Sequence, residues 1–190
     1  MKKKLLYVIS MVLVLLLTAC GGTEENNKSK EDAKTETSAS TQNDSKDETT
    51  TDEKYYFKNG VVKIHDLQIE ITKEKVIKAG EKGNEYGEKP VLALWYKVTN
   101  LTDKEIDPTT SWAAVFEAIQ DNDKNAVNKL EVGSLPDDRF LDSQLETIKK
   151  NGTVENAIAY ELDDLKTPVK LIASQGIGGK KLGEQTFEVK

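Results

Sequence analysis

Apolar residues crowd into Leu5–Leu17, thirteen positions of which only Ser10 is polar, and then almost vanish until Tyr55. From there they return in short alternating runs. Val62 and Ile64 alternate, and Leu67, Ile69 and Ile71 alternate in the opposite parity. That change of phase predicts a β-bulge or a bend near His65-Asp66. After Pro90, the run VLALWYKVTN sets Leu92, Leu94, Tyr96 and Val98 on one face and Val91, Ala93 and Trp95 on the other. Both faces are apolar at its start, the mark of a central strand. WAAVFEAIQ at 112–120 is apolar on both parities, and its aromatic and β-branched content favours a strand over a helix. Ile148 leads into Lys149-Lys150-Asn151-Gly152, an Asn-Gly hairpin signal. Val154, Ile158, Tyr160 and Leu162 then share a face, and Val169, Leu171 and Ala173 form a further strand. Gly176, Gly178, Gly179 and Gly183 predict a flexible loop, and Phe187 and Val189 an edge-like last strand. Only residues 137–146 read as a weak helix, with Phe140, Leu141 and Leu145 on one side. Six or seven strands separated by turns, with no long helices between them, predict an all-β antiparallel sandwich or barrel.

The N-terminal run has a second use. Lys2, Lys3 and Lys4 precede it and Thr18-Ala19-Cys20-Gly21-Gly22 closes it, the three-part layout of a secretory signal. It is short for a transmembrane helix, which needs about 20 residues. Leu17-Thr18-Ala19-Cys20 resembles the lipobox of bacterial lipoproteins at all four positions. The resemblance implies that the Cys20 sulfur takes a diacylglycerol, that cleavage falls just before it, and that fatty acyl chains such as palmitate hold the mature protein on the membrane. One acyl chain binds a bilayer marginally and two anchor stably. The expected parts are therefore a signal peptide at 1–19, a lipidated Cys20 with a polar linker at 20–54, and one folded domain at 55–190.

Residues 23–54 hold ten Asp/Glu against five Lys, and Ala33 and Ala39 are their only hydrophobic residues. A tract of that composition builds no core, so a disordered spacer is expected. As a flexible coil, thirty-two residues reach roughly 30 Å.

Charge and cysteine count narrow the chemistry. The chain carries a net charge of −6 and has one Cys and one His among 190 residues. A single Cys excludes a disulfide scaffold, and so few thiols and imidazoles exclude a Cys/His zinc site. The acidic balance excludes the basic stripe of a nucleic-acid binder.

Four stretches of the domain carry a second resemblance: NGVVKIHDLQI, VLALWYKVTNLTDK, SWAAVFEAIQDND, and KKNGTVENAIAYELDD followed by TPVKL. Together they resemble the C-terminal module of an uncharacterised family of Gram-positive surface lipoproteins. That family is similar to immunoglobulin-like sandwiches, including a small secreted mycobacterial immunogen. The resemblance implies an immunoglobulin-like antiparallel β-sandwich of about seven strands and no particular activity. Asn122 stands where the family has Gly, which bears only on the shape of that turn.

Several groups invite a chemical reading. Asp121, Asp123 and Asn125 have the spacing of the first half of a calcium loop, yet Ala126 and Val132 stand where an EF-hand needs Gly and a bidentate Glu. A polar turn is the preferred reading, with a weak calcium site near Asp121 and Asp123 left open. GIGGK at 176–180 lacks the spacing and the helix of a phosphate loop. His65 is the sole imidazole, and on a regular strand Asp66 would point away from it. Asp137-Asp138 and Asp163-Asp164 are expected to cap turns. Tyr55-Tyr56-Phe57 is expected to cover the end of the sandwich, and Trp95 and Trp112 to lie in its core. Asn100-Leu101-Thr102 matches a glycosylation acceptor, a pattern without weight in a bacterial lipoprotein.

No catalytic, cofactor-binding or metal-ligating residue is assigned, and no cofactor is expected. Cys20 is the one assigned site, for lipidation. The expected function is a membrane-anchored extracellular lipoprotein with a non-catalytic interaction domain, whose partner is a protein or a wall polymer. A cell-envelope hydrolase or metal-dependent enzyme is the alternative. A small solute-binding lipoprotein is a second one.

Overall fold

The computed structural model describes residues 54–190. The signal segment, Cys20 and the linker as far as residue 53 lie outside the described residues.

Among the described residues the strands are β1 (Tyr56–Lys58), β2 (Val61–Lys63), β3 (Leu67–Ile77), β4 (Val91–Asn100), β5 (Phe116–Gln120), β6 (Thr153–Glu161), β7 (Val169–Ser174) and β8 (Lys181–Phe187). Helix α1 (Pro108–Val115) precedes β5 without an intervening residue. All pairings are antiparallel, in one sheet of order β1-β2-β3-β4-β6 and a second of order β5-β7-β8. The predicted all-β sandwich is therefore the observed class, with eight strands. If β3, β4 and β6 are read as A, B and E, and β5, β7 and β8 as C, F and G, the order is that of an immunoglobulin-type sandwich lacking a D strand. In the place of that strand, residues 128–133 run from the edge of β5 to the edge of β6, through bridges Ile119–Lys129 and Val132–Tyr160.

The core lies between the sheets. Leu92, Leu94, Tyr96 and Val98 are each at most 1% exposed, as their shared parity predicts. Trp112 of α1 fills the centre. Its ring lies 4.3 Å from Tyr96 and 4.4 Å from Phe116, and its Nε1 donates to the Tyr160 hydroxyl at 2.7 Å. Burial away from water pushes the Tyr160 phenol up to about 12.

Three local expectations are corrected. Residues 112–115 are helical. Asp107 caps that helix by accepting from the Thr110 amide at 2.9 Å, and Pro108 occupies its first turn, where the missing N–H costs nothing. The strand begins only at Phe116. Residues 137–146 form a single 3-10 turn at Asp138–Phe140 followed by turns; Phe140 is buried while Leu141 and Leu145 are exposed, so no apolar face holds a longer helix. Asn151-Gly152 turns the chain into β6 without a strand before it, and the two-residue hairpin forms instead at Asn59-Gly60, where both residues have positive φ and join β1 to β2. The bend expected near His65-Asp66 is present, as the tight β2–β3 turn closed by Ile64 N–H to Leu67 C=O at 3.0 Å.

The bulge lies further on. Between Ile71 and Lys73 the register of β3 against β4 slips by one, with Thr72 as the extra residue. Ile71 stands opposite Tyr96, which faces the core, whereas Lys73 stands opposite Trp95, which faces out. Odd-numbered side chains of β3 thus point inward before Thr72 and outward after it. The outward row Lys73, Lys75 and Ile77 continues the outward face of β4.

Candidate functional site

That outer face carries packing of its own. Ile77, Val91, Ala93 and Ala159 form a small second core there, with Trp95 packed against it. Ala157 stands opposite Trp95 across the β4–β6 pairing, a small side chain that leaves room for the indole. Two connections cover the face. The first, 78–90, is tied by Asn84, which is 3% exposed and donates to Ile77 C=O at 3.3 Å and Lys89 C=O at 2.8 Å. The second runs through Pro136–Arg139. At their meeting point a Cβ on Gly83 would stand 2.5 Å from the Pro136 carbonyl oxygen, so only glycine permits the approach, and its φ of +91° suits glycine as well.

Between these connections lies a groove of about 320 Å³, floored by Trp95 and Ile77. A recess of about 180 Å³ lies against the same indole and is bordered by Thr72, Asn156 and Glu155. Lys73 and Arg139 line both, so the two spaces meet at Trp95. The bulge places the Lys73 ammonium 4.5 Å from the Trp95 ring centre, within cation–π range. Trp95 Nε1 donates to Asp137 Oδ2 at 2.8 Å. Arg139 grips the same carboxylate with two donors, Nε to Oδ1 at 2.9 Å and Nη2 to Oδ2 at 2.6 Å. The Arg139 guanidinium holds the Asp137 carboxyl well below the usual carboxylate range, the indole N–H adds to the effect, and burial opposes it. Trp95, Asp137 and Arg139 therefore form a fixed unit.

The rim is basic. Lys73, Lys75 and Lys82 are exposed and line the groove. Among the described residues none of the three has a carboxylate within ion-pair distance. Asp138 and Glu85 are the acidic members besides Asp137, and Glu85 is engaged by the Gly83 amide at 2.9 Å.

The residues singled out from sequence fall elsewhere. Trp112 is in the core as expected, but Trp95 is half-buried on the outer face. His65 Nδ1 and Asp66 Oδ1 are 2.6 Å apart, contrary to the expectation that they diverge, because both sit in a turn rather than on a strand. Asp66 also receives Lys104 at 2.8 Å, and its carboxyl is lowered by Lys104 first and His65 second. Asp163 takes Lys89 and Asn128, while Asp164 takes the Lys166 and Thr167 amides. Gln120, fully buried, pins that turn with donors to Asp164 C=O and Thr167 C=O and an acceptor for Asp163 N–H. Asp123 closes its own turn by accepting from the Asn125 and Ala126 amides, and Asp121 pairs with Lys170 at 3.5 Å. Phe57 is buried, and Tyr55 and Tyr56 line a separate recess beside His65. Asn100 is 1% exposed and its amide nitrogen donates to Lys104 C=O and Ile148 C=O. Among the described residues no cluster of three or more His, Cys, Asp or Glu is placed to hold a metal. The groove cations were absent from the sequence expectations. Their one local signal is the Lys73-x-Lys75 spacing on a strand.

The family model described as a domain of unknown function (DUF5067) matches residues 23–175. No curated protein matches the chain significantly. Among solved structures, one from Staphylococcus aureus, described as a "putative lipoprotein", is similar at 23% identity with a TM-score of 0.59, covering 71% of this chain and 92% of that one. A protein from Enterococcus faecalis is similar at 18% identity with a TM-score of 0.55, covering 72% and 94%. A further one, an uncharacterized beta-sandwich protein from Clostridium difficile, has 14% identity and a TM-score of 0.44, covering 67% and 89%. Likeness at the first two levels speaks for the fold.

Proposed function

The chain belongs to the DUF5067 family of domains of unknown function, and we propose that it is a lipid-anchored lipoprotein of the extracellular membrane face whose sandwich is a non-catalytic binding domain. Its ligand surface is the groove at Trp95. The anchor is a diacylglycerol on Cys20, supported by Leu17-Thr18-Ala19-Cys20 behind the apolar run and by the lipoprotein description of the Staphylococcus aureus neighbour. The binding reading rests on one observation. A half-buried tryptophan is hydrogen-bonded to Asp137 and borders an open groove whose three lysines, Lys73, Lys75 and Lys82, have no carboxylate within ion-pair distance among the described residues. Aromatic platforms edged by a few fixed polar groups are the usual make-up of ligand sites. The groups most suited to acid–base work, His65, Asp66, Asp163 and Asp164, are engaged in turns at other places, which favours recognition over hydrolysis.

Two measurements test the parts separately. Cys20→Ala abolishes lipid attachment and leaves the precursor uncleaved, at its larger size and still carrying Leu5–Leu17; maturation to the wild-type size would refute the anchor. The chain begun after Cys20, which lacks both the apolar segment and the lipidated thiol, co-sediments with isolated cell envelopes and loses this on Trp95→Ala. Undiminished sedimentation of the variant would move the ligand surface elsewhere.

A further inference from the structure

The groove's charge is out of keeping with the rest of the molecule. The whole chain carries −6, yet three ammonium groups gather on this one rim without a carboxylate within ion-pair distance. Glu85, Asp137 and Asp138 leave the lining net positive by one, and the three ammonium groups lie outside ion-pair distance of a carboxylate, so an anionic ligand relieves their mutual repulsion. Which anion follows from the donors left over. Planar carboxylates are recognised best by the two-pronged fork of arginine, whereas ammonium groups act as point charges suited to phosphate. The single guanidinium of the groove already spends two donors on Asp137. The donors left without a carboxylate are those of Lys73, Lys75 and Lys82, with the Lys73 ammonium lying over the Trp95 ring at 4.5 Å.

Spacing adds to this. Lys73 and Lys75 lie two residues apart on the same face of β3 past the bulge, so their stems start about 6–7 Å from one another along the strand. Lys82, on the 78–90 connection, lines the same groove. The groove runs on past Trp95 into the neighbouring recess. A row of cations beside an aromatic surface fits a chain of repeating anions joined by short apolar or polyol segments. The cations take the charges and the indole takes the C–H groups between them.

Building on the reading of the groove as a binding site, we propose that its ligand is a phosphodiester-linked polyol or sugar polymer. Lys73, Lys75 and Lys82 contact successive phosphates, and the polyol segment packs on Trp95. Asp138, exposed on the same groove, is a counter-charge that selects against closer approach.

The test uses the mature chain and the fluorescence of its two tryptophans. Trp112 is fully buried, so a ligand-induced change arises at Trp95, and Trp95→Phe serves as the blank. Three polymers of similar length are compared at equal ionic strength: poly(glycerol phosphate), poly-glutamate and neutral dextran. The expected result is a saturable change with poly(glycerol phosphate) that weakens with added salt and vanishes in Trp95→Phe. Lys75→Gln with Lys82→Gln weakens it on the order of tenfold, since each removes one exposed charge from the phosphates. Asp138→Asn tightens it, and Lys124→Gln, on a different loop, leaves it unchanged. Poly-glutamate binding as tightly as the phosphate polymer, or phosphate binding indifferent to the lysine pair, overturns the proposal while the groove remains a site. A response to dextran alone has the same meaning. No response to any of the three overturns both the proposal and the assignment of the groove.

Discussion

The two faces of strand β4 are built from alternate residues of one ten-residue run and have opposite characters. On the inner face Leu92, Leu94, Tyr96 and Val98 are sealed between the sheets, and the polar atoms there are satisfied by side-chain pairs such as Trp112 with Tyr160. On the outer face Val91 and Ala93 are just as buried, but under two connecting segments held by an asparagine, a glycine contact and a carboxylate. The inner face is stabilised by apolar area and tolerates no gaps, because close packing leaves little room to relax. The outer face is held by a few directional contacts, so it can leave a groove open without weakening the sandwich. Stability and recognition are thereby assigned to opposite sides of one strand.

Substitutions on the two faces should separate accordingly. Leu94→Ala removes a fully buried side chain, and the lost transfer energy plus the cavity should cost about 2–5 kcal/mol, read as a lower midpoint in denaturant. A near-zero loss would mean that the sheets do not meet at β4. Asn84→Ala comes next. It leaves the Ile77 and Lys89 carbonyls without their donor and should cost about 1–3 kcal/mol, with faster amide exchange confined to 78–90. Exchange spread over the whole domain would show that the outer connections belong to the main cooperative unit.

Asp137→Asn probes the same face through pH. The folded carboxyl lies below its unfolded value of about 3.9, so its stabilising contribution is fully present above that value and is lost as pH falls through the folded one. Asp66, Asp163 and Asp164 are lowered in the same direction, so the wild type should lose stability progressively in acid. In Asp137→Asn the difference between neutral and acid stability should shrink, and the Trp95 emission should stop changing with acid. An unchanged acid profile would remove Asp137 from the contacts that hold the face. The smallest effect belongs to Lys97→Ala, at the wet end of β4, which among the described residues pairs with exposed Glu155 at 3.2 Å; a shift within about 0.5 kcal/mol is expected in thermal melts.

Much of the inner face was legible in advance because alternation is a local property. Leu92 to Val98, Val154 to Leu162 and Val169 to Ala173 each announce their buried side by spacing alone, and burial between two sheets is what that spacing selects. Helix α1 was missed although its start is written in Asp107-Pro108, because the apolar run from Trp112 reads equally as strand and the cap lies outside that run. A regular strand would put His65 and Asp66 on opposite faces, but the chain turns there and brings their side chains together.

By itself the sequence determined the all-β class, the inner face of β4 and the short turns between strands, since each depends on residues a few positions apart. Only the tertiary structure decided the groove. Lys73 and Lys75 face Trp95 because the bulge at Thr72 reverses the parity of β3, and a bulge among polar residues leaves no mark in the hydrophobic pattern. Trp95 is open on one side because Asp137 and Arg139, more than forty residues along the chain, close over it only in part. Pairing register and long-range contacts of this kind are settled when the sheets assemble, so no local reading of the 73, 95 and 139 neighbourhoods brings them together.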